Sequence, residues 1–314
     1  MLSINQIVCD YSWTQLTGVS VQFMKCYSKS QNSPERVKEA FLIIPGNPGC
    51  IQFYETFAIQ LVKQTGIPVW GLSHTGHACQ SDNSNNAAHP TRIDCGLQNQ
   101  IAHKVEFIKS VLFNHTEKVI LVGHSIGSYV ILHIMDQMKE HSSRLILGIL
   151  LFPTIEQMAI TPNGKIFTPV LKYARWILTF AAALLYCLPK SVSDFLISSY
   201  VKSCDSNVLT AVSRNLIHPS VVDSVTYMAL QEMLGVLKRE DSIISPLMNS
   251  LFFYYGASDQ WCLPHFHEDI KEQFSEMRNR VKLCQKGVPH AFVLNHSVEI
   301  ADEVVTIVKD MLKV

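Results

Sequence analysis

Short apolar blocks alternate along this chain with segments of helical spacing, and that alternation sets the expected order of elements. Residues 19–27 alternate loosely between apolar and polar, as an early antiparallel strand does, and the polar run 28–39 reads as a loop. Residues 40–44 form a short apolar strand that stops at Pro45-Gly46-Asn47-Pro48-Gly49, after which 53–63 has helical spacing. The next strand, 67–73, ends in His74-Thr75-Gly76-His77, and the polar, Asn-rich run 80–94 reads as a surface loop. Residues 97–113 carry apolar side chains at Leu97, Ile101, Val105 and Ile108, a helical repeat. The run Val119-Ile120-Leu121-Val122 is a strand, 126–138 a helix, and the almost wholly apolar 145–152 a central strand buried on both faces. Strands and helices alternating in this way predict a mostly parallel, doubly wound sheet with right-handed crossovers.

The rhythm breaks at Glu156. Between 156 and 245 there are helices but no convincing strand; strands resume at 250–256 and 281–285, and 291–313 closes the chain mainly as helix. The expected organisation is an α/β core built from residues 1–155 and 246–314, with 156–245 inserted as a helical cap over the end of the sheet where an active site would lie. Within the insert, 166–188 is apolar apart from Lys172, Arg175 and some hydroxyl groups. A charge at mid-bilayer costs roughly 2.5–3.5 kcal/mol on insertion scales, and the charge-free part, 176–188, is shorter than the about 20 residues a span needs. Two options stay open: a segment embedded in a lipid surface, or a buried cap helix. Apolar residues on every helical face of 176–188 favour lipid contact.

Candidate chemistry centres on Gly123-His124-Ser125-Ile126-Gly127. Small residues also cluster at ordinary strand-to-helix turns, but a G-x-S-x-G with a strand before it and a helix after it has the context of a nucleophile elbow. Ser125 would stand at the apex of a strained turn, with Gly123 and Gly127 present because a Cβ at either would collide with the adjoining strand or helix. Unpaired N–H groups at the helix N-terminus favour a developing negative charge there. The expected oxyanion donors are the N–H of Ile126 and that of Asn47, in the glycine-rich loop after strand 40–44. That loop is no phosphate-binding loop, since no Gly-Lys-Ser/Thr follows. Asp259, just past strand 250–256, is the expected acid and Glu156 its competitor; His290, in the loop after the last strand, is the expected base. The order Ser125, Asp259, His290 is the one found in α/β-hydrolases. His74 and His77 invite a metal reading, but no Cys, Asp or Glu is locally placed to complete it, and His267-Glu268 fails H-E-x-x-H at Lys271. No metal or cofactor is expected.

Composition narrows the partners. At 314 residues the chain is long enough for one large α/β domain with a sizeable core. Lys plus Arg equals Asp plus Glu at 26 each, so no basic surplus argues for nucleic acid. Charged residues are only 17% and the mean hydropathy is +0.15, so some apolar surface is expected to meet something other than water. Nine scattered cysteines without a C-x-x-C pair argue against a disulfide framework or a zinc site and for a reducing compartment. Residues 1–10 lack a basic start followed by a long apolar core, so no secretory signal is read and the sequons at Asn114 and Asn295 are expected to be unused.

Six blocks running in order through most of the chain resemble the lipid droplet-associated hydrolase family: Phe41-Leu-Ile-Ile-Pro-Gly-Asn-Pro-Gly49, Gly71-Leu-Ser-His-Thr-Gly-His77, Gly123-His-Ser-Ile-Gly-Ser-Tyr129, Leu151-Phe-Pro-Thr-Ile-Glu156, Phe253-Tyr-Tyr-Gly-Ala-Ser-Asp-Gln-Trp-Cys262 and Val288-Pro-His-Ala-Phe292. The resemblance implies the α/β-hydrolase fold and a serine hydrolase at the cytosolic face of lipid droplets and the endoplasmic reticulum. It implies a link to sterol-ester or other neutral-lipid turnover, with Ser125, Asp259 and His290 as nucleophile, acid and base. The expected activity is hydrolysis of a lipid ester at such a surface. The alternatives are a droplet-bound protein with an intact triad but little turnover, and a soluble esterase of small metabolites.

Overall fold

The computed structural model describes residues 6–29, 36–79, 91–200, 204–205, 208, 211–212 and 216–312. Eight strands form one sheet: β1 (Ile7–Leu16), β2 (Val19–Ser28), β3 (Val37–Ile44), β4 (Val69–Leu72), β5 (Thr116–His124), β6 (Leu145–Leu151), β7 (Leu251–Gly256) and β8 (Val281–Cys284). Their spatial order is β1-β2-β4-β3-β5-β6-β7-β8. The pairs β4–β3–β5–β6–β7–β8 are parallel, while β1–β2 and β2–β4 are antiparallel. Continuous apolar runs in β5, β6 and β7 are buried almost throughout, as strands covered on both faces must be. Helices Glu55–Thr65 and Ser297–Leu312 pack together beside the sheet, and helix Ile126–Gln137 packs with Leu97–Phe107 and Asp241–Leu247. This is the mostly parallel, doubly wound sheet that the alternation of elements predicts, arranged as the α/β-hydrolase fold that the resemblance implies.

Three details depart from expectation. β1 carries polar residues at most second positions and only Leu16 is buried, so its apolar pattern is too weak to mark a strand. The expected 97–113 helix ends at Phe107, passes through a π turn at Ile108–Leu112 and closes at Phe113–His115. Cys9 and Cys26 lie opposite each other in the β1–β2 register and are joined by a disulfide, whereas the other seven cysteines are not disulfide-bonded. Cysteine spacing along the chain carries no trace of a pairing that strand register creates. Of the expected loops 28–39 and 80–94, residues 30–35 and 80–90 lie outside the described residues, as does residue 313 of the last helix.

Between β6 and β7 the described residues form helices and no strand, the longer ones being Pro162–Tyr173, Arg175–Cys187, Lys190–Tyr200 and Pro219–Gly235. Thr161 caps the first, its hydroxyl oxygen accepting the N–H of Gly164, with Pro162 at the first helical position. That helix and Arg175–Cys187 meet at an angle of 80°, and no single described helix is long and apolar enough to cross a membrane. Ala182 is the buried residue of Arg175–Cys187, which packs on Pro219–Gly235; Trp176, Phe180 and Leu184 remain 67%, 59% and 56% exposed. A buried cap helix, the second option for 166–188, does not match this exposure.

At the carboxyl end of β5 the chain turns sharply through Ser125, at φ +54° and ψ −124°, into helix Ile126–Gln137. A non-glycine residue held there costs on the order of 1–3 kcal/mol. Its main chain is tied on both sides: Ser125 N–H donates to Leu151 O at 2.9 Å and Ser128 N–H to Ser125 O at 2.9 Å. A Cβ on Gly127 would collide with the carbonyl oxygen of Ile44 and lie 2.7 Å from that of Pro45, and a Cβ on Gly123 would lie 2.7 Å from Gly127 O. Gly127→Ala should therefore lower unfolding free energy by about 1–3 kcal/mol in urea titration. Gly235→Ala, where an added Cβ meets nothing within 4 Å, should leave it unchanged or raise it by about 0.4–1 kcal/mol.

Candidate active site

Ser125, Asp259 and His290 converge at the carboxyl ends of β5, β7 and β8. Ser125 Oγ lies 2.8 Å from His290 Nε2, and His290 Nδ1 lies 2.6 Å from Asp259 Oδ2. Asp259 is saturated with donors: Trp261 N–H and Cys262 N–H reach Oδ1 at 2.7 and 3.1 Å, and the Cys262 thiol reaches Oδ2 at 3.0 Å. Burial opposes ionisation of this carboxyl, but the adjacent His290 and the Cys262 and Trp261 donors outweigh it and hold Asp259 below the usual carboxylate range. An ionised Asp259 accepts the Nδ1–H, leaving Nε2 of His290 free to accept from the Ser125 hydroxyl. Glu156, the competing acid, faces Arg239 at 3.5 Å.

The Pro45–Gly49 loop lies directly over Ser125: a Cβ on Gly46 would fall 3.1 Å from Ser125 Cβ. Both loop histidines hold it. His74 Nε2–H donates to Pro45 O at 3.1 Å, and Gly49 N–H donates to His77 Nδ1 at 2.8 Å. Burial, reinforced by Lys104, pushes His74 well below the ordinary histidine range and His77 down to about 3, so both act as neutral donors and acceptors. Lys104, itself fully buried, donates to Ser73 O and Gln100 Oε1 at 3.2 and 2.7 Å. The Asn47 side chain is tied to the helical insert, where Nδ2 donates to Val225 O at 3.1 Å and Glu232 Oε1 at 2.7 Å. Ile126 opens the helix after Ser125. His124 is bonded to Tyr54 Oη and to the main-chain carbonyl of His290.

Four polar neighbours of the site are absent from the expectations drawn from sequence: Tyr54, Thr154, Glu232 and Cys262. Tyr54 lies inside an apolar stretch and reads as core; Thr154, whose Oγ1 is 3.4 Å from Ser125 Oγ, and Cys262 sit in blocks flanking expected site residues. Asp259, Cys262 and His290 bring ligand atoms within 4.8 Å of one another, yet each is already engaged in the hydrogen bonds just described.

Burial pushes Glu232 up from 4.5 to about 8, against a smaller opposing effect of the Asn47 hydrogen bond. Its folded form therefore binds a proton that the unfolded chain releases, and stability falls as pH rises between about 4.5 and about 8, by at most about 1.4 kcal/mol per pH unit. Glu232→Gln removes that slope. Its stability relative to the natural chain should grow across this window and level off above it, as read by denaturant midpoints at stepped pH.

Comparison with known proteins places this chain in a family. A sequence profile described as lipid-droplet associated hydrolase matches residues 37–293. Proteins named lipid droplet-associated hydrolase from Homo sapiens and Gallus gallus are 36% and 35% identical, each over 94% of this chain and 93% of the relative. One of the same name from Drosophila melanogaster is 33% identical over 88% of this chain and 89% of the relative. Among solved structures, an epoxide hydrolase from Vigna radiata superposes with a TM-score of 0.64 at 12% identity, covering 98% of this chain and all of that one. An aryl esterase described as putative, from Burkholderia cenocepacia, gives 0.60 at 13%, covering 97% and 100%. At such identities these two structures speak for the α/β-hydrolase fold alone; the profile and the close relatives carry more, and by them the chain belongs to the lipid-droplet associated hydrolase family.

Proposed function

We propose that this chain is a serine hydrolase that cleaves a lipid ester, a sterol ester or another neutral-lipid ester, through a covalent acyl-enzyme. The observation that carries the reading is the relay from Ser125 Oγ through His290 to Asp259, two short hydrogen bonds of 2.8 and 2.6 Å with the ring nitrogens in the order required. A hydroxyl is a poor nucleophile until its proton has an acceptor. As Ser125 Oγ attacks the ester carbonyl carbon, its proton passes to His290 Nε2, and the imidazolium is stabilised by Asp259. The carbonyl π electrons move onto oxygen, held by the N–H groups of Ile126 and Asn47; collapse expels the alcohol, which takes the proton back from His290. Water repeats the sequence on the acyl-enzyme and regenerates Ser125.

The helical stretch 156–245 serves as the cap in this reading, and the exposed face of 166–188 supplies the contact with a lipid surface. Trp176, Phe180 and Leu184 have no partner large enough to cover them within the described residues, and membership of this family supports a droplet, and with it the cytosolic side of the endoplasmic reticulum, as that surface. A short insert of exposed apolar helices bent by 80° suits lying in the interface better than spanning it.

Ser125→Ala should abolish labelling by a fluorophosphonate probe and lower ester turnover by roughly 10⁴–10⁶-fold, and Asp259→Asn should lower kcat by roughly 10⁴-fold; circular dichroism should show both folded. Unlabelled Ser125 in the natural chain would favour a lipid-binding protein with little turnover. Replacing Trp176, Phe180 and Leu184 together by Ser removes side chains worth about 1.5–3 kcal/mol each on burial. Flotation with phosphatidylcholine-coated triolein droplets should lose the triple variant while hydrolysis of a soluble short-chain ester persists; retention on droplets would overturn the lipid-contact assignment.

A further inference from the structure

We propose that His124 is a positioning residue: its Nε2–H holds the main-chain carbonyl of His290 while its Nδ1 is tied through Tyr54 to the main chain of Gly46. One ring thereby sets the base, the turn at Ser125 and the Pro45–Gly49 loop in a common register. The proposal rests on the reading of Ser125 and His290 as nucleophile and base.

Donor and acceptor accounting fixes the protons. The Gly46 N–H can only donate, so Tyr54 Oη accepts it at 2.8 Å. The His290 carbonyl can only accept, so the His124 nitrogen facing it at 2.8 Å, Nε2, carries hydrogen. The Tyr54 proton then has His124 Nδ1, at 2.7 Å, as its acceptor. All partners are satisfied when the ring is neutral; a second proton on Nδ1 would leave the Tyr54 hydroxyl hydrogen without its acceptor. Tyr54, His124 and Phe292 pack in a buried group, with the His124 and Phe292 ring centroids 4.8 Å apart and Phe152 at 6.2 Å.

Neutrality has a catalytic meaning. Burial, with the charge of nearby His290 acting in the same direction, pushes His124 down to about 3. The two imidazole centroids are 5.3 Å apart, so a positive His124 would oppose the imidazolium that His290 becomes on taking the Ser125 proton. His290 sits on a loop beyond β8, outside regular structure. Asp259 fixes its ring from Nδ1, and the His124 bond fixes its main chain, so that both ends of the residue are held.

The test uses the full chain. Fluorophosphonate labelling of Ser125 should slow about tenfold to a hundredfold in Tyr54→Phe and in His124→Phe, and the double variant should be no slower than the slower single one, because both remove one connected chain. With a soluble ester, kcat should fall and KM should hold. In ¹⁵N spectra of histidine-labelled natural protein, His124 should be the neutral Nε2–H form throughout pH 5–8. Labelling of His124→Phe at the natural rate, a ring that titrates within that range, or the Nδ1–H form would each overturn the proposal. Thermal unfolding identifies a variant that has lost its fold, and Tyr54→Phe then carries the kinetic arm. Absence of labelling in the natural chain would defeat the nucleophile reading instead, and the ring spectrum still decides the clamp.

Discussion

The meeting of three main chains at Gly127 is the constraint on which the site depends. The exit of β3, the turn at Ser125 and the first turn of the following helix approach so closely that no side chain fits between them. Only with that contact does the Pro45–Gly49 loop lie over the serine, and only then does φ +54° at Ser125 present its hydroxyl toward the β7 and β8 loops rather than into the sheet. The local cost of the turn is met by the long β5–β6–β7 packing on either side, where apolar strands are buried almost completely.

Around that turn the polar groups are numerous, and burial disfavours charge on most of them. His74, His77 and His124 are each pushed below the ordinary histidine range, chiefly by burial, and Lys104 is pushed well below the lysine range by the same cause. The three histidines bond as neutral donors and acceptors, which keeps their charge away from His290. Asp259 is the exception, held ionisable by four donors that the burial of its surroundings would otherwise defeat. The result is an environment with one anchored negative charge, suited to a transient positive charge on the imidazole between it and Ser125.

Much of this is legible from sequence, for identifiable reasons. The parallel strands are continuous apolar runs, and each candidate site residue lies just beyond one, so the pattern that marks the strands also locates Ser125, Asp259 and His290. What escapes is set by contacts between distant segments. β1 is an edge strand with a single buried residue, and the Cys9–Cys26 bond depends on its register with β2. Tyr54 resembles any core aromatic until its hydroxyl is seen between Gly46 and His124. Asn47 is recognisable as a loop residue, but its partner Glu232 is 185 positions away in a helix of the insert, and nothing local in the sequence joins the two.

The Asn47–Glu232 bond joins the loop above the serine to helix Pro219–Gly235, and that helix also carries Arg175–Cys187 on its flank. Breaking this tie would expose to water a carboxyl that burial keeps protonated up to about pH 8, so the contact between loop and helix is itself sensitive to proton activity.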